Sequence, residues 1–75
     1  QERDAVRSAQ AVLTPHECEV LMYAARGMTT QRTAQKMGIS DYTVKDHIKA
    51  AVAKLDAKNK TEAVAKALVA GYIVP

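Results

Sequence analysis

Apolar residues repeat at intervals of three and four in four stretches of the chain, each followed by a glycine or a polar turn. This period is typical of amphipathic α-helices, because residues three and four apart share one face. The first stretch opens with Thr14-Pro15-His16-Glu17, a capping box with proline at the first helical position. We predict a first helix from Pro15 to about Arg26. Its buried stripe is expected to contain four residues: Cys18, Leu21, Met22 and Ala25.

Two further helices are predicted close together. Segment 29–37 is about two turns long and has a threonine N-cap, Thr29 or Thr30. The tight connection Gly38-Ile39-Ser40 follows, in which the glycine turns the chain and the serine caps the next helix. That helix is predicted over residues 41–55. Its packed face carries five apolar residues: Val44, Ile48, Ala51, Val52 and Leu55.

A polar turn at 56–60 separates the third helix from a fourth. Thr61 is the predicted N-cap of this last helix, which ends at Gly71. Its inward positions are Ala63, Val64, Ala67 and Leu68. Residues 1–12 are interpreted as a linker remnant from a missing N-terminal domain, with room for an extra helix, and 13–75 as the domain itself. The predicted fold is therefore all-α, a four-helix domain.

Composition agrees with one small helical domain. The chain has 75 residues, among them fourteen alanines and neither Phe nor Trp, which favours closely packed helices and a thin core. No uncharged stretch is long enough to cross a bilayer, and the single Cys18 cannot form an internal disulfide. We therefore expect a cytoplasmic protein that has no membrane partner.

The positive charge is concentrated in the middle of the chain. The net charge is +3, but residues 28–60 alone hold seven Lys or Arg against three acidic residues. A basic middle on a near-neutral frame is expected of a nucleic-acid surface, although a solvated lysine-rich face gives the same count.

The second and third predicted helices together have the pattern of a helix-turn-helix. In this motif the second helix enters the DNA major groove, which is about 12 Å wide. Lys45 and Lys49 are four residues apart and point the same way. Asp46 beside them accepts from a cytosine amino group or orients Lys49. The alternative is a charged face that contacts only solvent.

The remaining candidates for chemistry favour structural roles. His47 lies next to the packed side of its helix, where a histidine more often bonds a neighbour than a ligand. His16 and Cys18 are two apart, so they do not face one another, and no second pair completes a metal site. The chain has no Ser-His-Asp set and no phosphate-binding glycine loop. We expect no metal, no cofactor and no enzymatic activity.

Many residues across the four predicted helices match one known pattern in register. They are Leu13-Thr14-Pro15, Glu17, Leu21, Gly27, Ala34, Ile39-Ser40, Thr43-Val44-Lys45, His47-Ile48, Lys54-Leu55, Asn59, Thr61, Ala63-Val64, Ala67 and Gly71. Over positions 13–73 the chain resembles the LuxR-type helix-turn-helix domains of bacterial transcription regulators. It departs from that family at Thr33, where Ile or Val is usual, and at Lys60, where Arg is frequent.

The resemblance implies a recognition helix at 41–55, a roughly two-fold DNA site, and a homodimer formed through the last helix. Base-reading positions correspond to Lys45, Asp46 and Lys49. The DNA backbone is expected to be contacted by Thr29, Thr30, Ser40, Tyr42, Thr43 and Lys60. The dimer interface is expected to include an apolar strip made of Ala65, Val69 and Tyr72.

The sequence therefore predicts specific binding of double-stranded DNA in transcription regulation, with RNA polymerase recruited or blocked by the bound protein. Segments 23–27 and 59–67 resemble the autoinducer-responsive, quorum-sensing branch more than the phosphorylated response-regulator branch. The alternative is a helical protein-interaction module or anti-activator that kept the fold but not DNA reading, pairing through Ala65 and Val69. Only the DNA-binding function would depend on Lys45 and Lys49.

Overall fold

The computed structural model describes residues 13–74. Its four helices are α1 (Pro15–Ala25), α2 (Thr30–Met37), α3 (Asp41–Lys54) and α4 (Lys60–Ala70). No strand occurs within the described range, so the predicted all-α class is confirmed. None of its helices combines the length and the apolarity needed to cross a membrane. The linker and extra helix predicted within 1–12 lie outside the described residues.

The first three helices begin at predicted caps, because each cap side chain accepts a hydrogen bond from a free backbone N–H. Thr14 Oγ1 accepts from the Glu17 N–H at 3.2 Å, and Glu17 Oε1 accepts from the Thr14 N–H at 3.0 Å. Of the two candidate threonines, Thr29 caps α2. Ser40 Oγ accepts from the Thr43 N–H at 3.0 Å and so caps α3.

The predicted cap of α4, Thr61, is wrong. Asn59 is the N-cap: its extended backbone lets Oδ1 accept from the Glu62 N–H at 2.8 Å. Glu62 Oε1 in turn accepts from the Lys58 N–H at 2.7 Å. Thr61 already lies inside the helix, where its own N–H is one of the unpaired donors of the first turn. Lys60 is consequently the first residue of α4.

The connection between α2 and α3 turns at Gly38, whose φ of +70° is in the left-handed region. A side chain at this position would meet nothing within 4 Å, so glycine is needed for its backbone angle and not for space. The Ile39 N–H donates to the Ala34 carbonyl at 3.0 Å, and the Ile39 side chain packs against the core. The turn therefore sets the angle between α2 and α3.

α2 buries Thr33 and Ala34. The Thr33 hydroxyl donates to the carbonyl of Thr29, four residues earlier, at 2.9 Å. A buried polar group is costly only when it lacks a partner. A threonine at this position is therefore compatible with the fold.

Two apolar clusters form the core, and α1 and α3 contribute to both. The larger cluster consists of Leu13, Leu21, Ala51, Ala63, Ala67 and Ile73. The smaller one consists of Val20, Ala34 and Val44. Ala51 from α3 and Ala63 and Ala67 from α4 are fully buried. Small side chains at these positions allow the backbones of α3 and α4 to approach closely, as the alanine content predicted.

The buried stripe of α1 differs from the prediction at one end. Ala25 is exposed: α1 ends there, and the two turn residues that follow are exposed as well. Val20, which was not predicted, is fully enclosed between α1, α2 and α3. Leu21 is buried, as predicted.

A buried ion pair joins the start of α1 to the end of α3. Glu17 is only 6% exposed, and its Oε1 accepts from Lys54 Nζ at 2.8 Å. Burial by itself would raise the pKa of Glu17. The hydrogen bonds from Lys54 and the Thr14 N–H, with the electrostatic attraction of Lys54 and His47, outweigh burial and bring the pKa below its usual 4.5.

Replacing Glu17 with Gln tests this pair, because the amide oxygen can keep both hydrogen bonds while the charge is lost. We expect the free energy of unfolding at pH 7 to fall by about 1 kcal/mol, since charge-assisted hydrogen bonds are stronger than neutral ones. A lowered folded-state pKa means that this contribution is present above the usual pKa and is lost as pH falls through the folded value. Urea denaturation followed by circular dichroism at pH 7 and pH 3 measures both effects.

Glu19→Gln on the same helix is the matched control, because Glu19 is less buried and, among residues 13–74, its carboxylate accepts only a long hydrogen bond from the Tyr23 hydroxyl, at 3.4 Å. We expect it to change the stability little. The same loss of stability between pH 7 and pH 3 in the wild type and in Glu17→Gln would contradict the role given to the charge.

Candidate nucleic-acid interface

The outward face of α3 is defined by the burial of its opposite side. Val44 and Ala51 are fully buried, and Ile48 packs against the smaller cluster. Residues on the other side of the helix therefore point to solvent. The exposed residues of this outer face are Tyr42, Lys45, Asp46, Lys49 and Ala53. The three residues predicted to read bases thus lie together.

The residues predicted to contact the DNA backbone lie at the starts of three helices. Thr29 and Thr30 begin α2, Ser40, Tyr42 and Thr43 begin α3, and Lys60 begins α4. First-turn N–H groups lack intrahelical partners and attract anions such as phosphate. The Ser40 and Thr43 hydroxyls hydrogen-bond each other at 2.8 Å, whereas the Tyr42 side chain is 76% exposed.

Asp41, the first residue of α3, links the starts of α2 and α3. The Thr30 hydroxyl and the Lys45 ammonium lower the pKa of Asp41 from its usual 3.8, against a smaller opposing effect of burial. Asp41 Oδ2 lies 3.2 Å from Lys45 Nζ. The second oxygen, Oδ1, is enclosed and accepts no hydrogen bond from residues 13–74, although the Thr30 hydroxyl lies near the carboxylate.

This pair was not predicted, although its spacing of four residues on a helix is the local signal for it. The sequence suggested instead that Asp46 orients Lys49. Asp46 is exposed, and within residues 13–74 no ion pair joins it to Lys49. The structure therefore places an acidic partner at Lys45, one turn nearer the start of α3.

His47 lies on the flank of α3 that faces α1. Its ring stacks on that of His16, with the centroids 5.5 Å apart and the planes 15° from parallel. This contact with a neighbour agrees with the packing role expected for His47. Within the described residues, no three His, Cys, Asp or Glu side chains are placed to hold a metal ion.

The end of α3 is held by Lys66 from α4. Lys66 Nζ donates to the carbonyls of Leu55 at 3.2 Å and Asp56 at 2.7 Å. A cation at this position complements the negative end of the helix and satisfies carbonyls that lack intrahelical partners. The orientation of α3 is therefore supported at its end by both Lys54 and Lys66.

An apolar strip on α4 faces away from the core. Ala65 is exposed, Val69 is 89% exposed, and Tyr72 after the helix end is 36% exposed. The buried residues Ala63 and Ala67 lie on the other side of α4. The three residues predicted to form a dimer interface are thus accessible at the surface.

A short helix, a tight glycine turn and a longer helix with an exposed lysine-bearing face define a helix-turn-helix DNA-binding domain. Comparison with known families agrees with this class. Residues 11–67 match the family GerE, described as bacterial regulatory proteins, luxR family. The chain belongs to the luxR family, as the resemblance predicted.

Known relatives of this chain are transcription regulators. It is 51% identical over 61 residues to the HTH-type quorum sensing-dependent transcriptional regulator RpaR of Rhodopseudomonas palustris, a match covering 81% of this chain and 25% of RpaR. It is 44% identical over 61 residues to the transcriptional activator protein CarR of Pectobacterium carotovorum, with the same coverage of 81% and 25%. The chain spans about a quarter of the length of these relatives.

The fold also matches a solved structure, that of the transcription factor GerE. The TM-score is 0.80 at 27% sequence identity, and the match covers 83% of this chain and 92% of GerE. The agreement extends over nearly all of the solved chain, so the four-helix architecture is that of a luxR-family helix-turn-helix domain.

Proposed function

We propose that this chain is the DNA-binding output domain of a quorum-sensing transcription regulator and that α3 reads the bases of its operator. The observation that carries this proposal is the outer face of α3. Lys45, Asp46 and Lys49 are exposed together there, while the opposite side of the helix packs against the core. The quorum-sensing assignment is supported by the similarity to RpaR, whose name describes that role.

The proposed contacts follow from the chemistry of base edges in the major groove. Lys45 and Lys49 donate to the O6 and N7 acceptors of guanine, and Asp46 accepts from the amino group of cytosine. Asp46 also lowers affinity for DNA of any sequence, because its charge repels phosphates. These three residues would therefore supply much of the sequence preference.

The starts of α2, α3 and α4 are proposed to hold the sugar-phosphate backbone. Their first-turn N–H groups and the hydroxyls of Thr29, Thr30 and Thr43 are phosphate donors of the kind that fix register on a duplex. Lys60 adds a full positive charge at the start of α4. As a lysine it acts as a point charge and lacks the planar fork of arginine.

Alanine variants separate these two kinds of contact. We expect Lys49→Ala to cost about 1–3 kcal/mol on the operator and much less on random duplex, because a base contact is lost. We expect Lys60→Ala to weaken binding to both and to reduce the salt slope of log K by about one, because a phosphate contact is lost. Fluorescence anisotropy at several salt concentrations measures both, with the operator selected from a random library by the wild-type chain.

Lys36→Ala is the matched control, because Lys36 is an exposed lysine at the end of α2, outside the proposed contacts. It should bind both duplexes nearly as the wild type does. A chain whose DNA binding is indifferent to Lys45 and Lys49 would instead be the protein-interaction module or anti-activator.

We further propose that two copies pair through the apolar strip Ala65, Val69 and Tyr72. Exposed apolar side chains on one helix face are suited to a second copy of the same helix. Such a dimer would place two α3 helices about one DNA turn, roughly 34 Å, apart. The operator would then contain two half-sites related by a two-fold axis.

Val69→Asp tests the dimer. We expect the wild type to bind a two-site duplex two chains at a time, and the variant to lose about tenfold in affinity, because a charge is desolvated at the interface. Sedimentation equilibrium with the two-site duplex gives the stoichiometry. Ala70→Asp is the control: it places the same charge in the same last turn of α4, 100° away around the helix. One chain per two-site duplex at saturation, for the wild type, would contradict the dimer.

In the intact regulator, this domain is proposed to act in the cytoplasm, where the bound dimer recruits or blocks RNA polymerase. A separate N-terminal domain would sense the autoinducer. The proposed activity is binding alone, with no catalytic step, metal or cofactor.

A further inference from the structure

We propose that Asp41 is a positioning residue that directs Lys45 toward a guanine. Because the two side chains together carry no net charge, the pair adds more to sequence discrimination than to the affinity for DNA. This inference rests on the proposed DNA-binding function and deepens it. It assigns a role in operator choice to a residue that need not touch the DNA.

Asp41 is less exposed than Lys45, the lysine with which it forms an ion pair. It is the first residue of α3, directly after the Ser40 cap, so its backbone is part of the helix. On one side it adjoins the Thr30 hydroxyl of α2. On the other, Oδ2 lies 3.2 Å from Lys45 Nζ. The Asp41 side chain is 36% exposed and that of Lys45 is 64% exposed, so Lys45 is the more accessible partner of the pair.

The pair leaves Lys45 with the donors that a guanine requires. An ammonium group has three N–H donors and no acceptor. One donor directed at Asp41 leaves two for the O6 and N7 acceptors on the major-groove edge of guanine. A lysine on a flexible stem must lose rotamer freedom when it binds, and an anchor formed beforehand reduces that loss.

The carboxylate also cancels the attraction of Lys45 for phosphate. Binding to DNA of any sequence depends on the positive charge that releases counterions, and a lysine paired with an aspartate contributes little of it. Lys49 forms no ion pair within residues 13–74, so its charge is not cancelled in this way. The two lysines would therefore differ: Lys49 supplies charge and a base contact, and Lys45 supplies chiefly the base contact.

Asp41→Asn in the 75-residue chain tests the proposal, because the shape is kept and the charge is lost. We expect tighter binding to random duplex and a salt slope steeper by about one, since the charge of Lys45 is released. The ratio of operator to random affinity should fall by about fivefold, because Lys45 is no longer directed at its base. Fluorescence anisotropy at several salt concentrations gives all three quantities.

Two further variants separate positioning from a general charge effect. Asp56→Asn removes the same charge from the turn after α3, where the side chain makes no ion pair among the described residues, and should leave the affinity ratio unchanged. In a Lys45→Ala background, Asp41→Asn should no longer alter the ratio, because the residue it positions is absent.

Other results would overturn the inference. If Asp41→Asn tightened the binding of operator and of random duplex equally, the role of Asp41 would be only to repel phosphate. Equal weakening on both, with a lower melting temperature, would mean that Asp41 only stabilises the start of α3. A wild-type chain without sequence preference would refute the proposed function itself, and that result is obtained before any variant is made.

Discussion

The attachment of α3 to α1 is the constraint on which the other helices depend. The Glu17–Lys54 ion pair joins the start of α1 to the end of α3, and the stacked rings of His16 and His47 add a second contact between the same helices. Both apolar clusters also contain residues of α1 and α3. α2 and α4 then pack on either side of this pair. With its inner side occupied along its length, α3 can present only one face to solvent.

Most of the fold could be predicted because its signals are local. The caps at Thr14, Thr29 and Ser40 each act on an N–H three residues away, so the pattern along the chain contains both partners. Asn59 followed three residues later by Glu62 is a signal of the same kind, and it competes with the one at Thr61. Which of two neighbouring polar residues caps a helix depends on the backbone of the preceding turn. The conformation of that turn depends on tertiary packing, so it cannot be read from the sequence pattern.

The exposed residues of the candidate site could be predicted from the sequence, but the contacts that hold α3 in place could not. The periodicity of α3 places Lys45 and Lys49 opposite the packed face, and the structure agrees. The partner of Glu17 is 37 residues away, and Lys66 donates to carbonyls ten and eleven residues before it, just beyond the end of α3. Such contacts exist only once the helices have packed. The identity of the residues that fix the orientation of α3 is therefore a property of the tertiary structure.

Lys60 occupies an unusual position for a cation. It is the first residue of α4, where the aligned peptide dipoles make the helix end positive, so its ammonium is repelled by its own helix. In the free domain this repulsion slightly destabilises the start of α4, and a nearby polyanion removes it. Recognition and folding are linked there: the anions surrounding the protein contribute to how firmly α4 is formed.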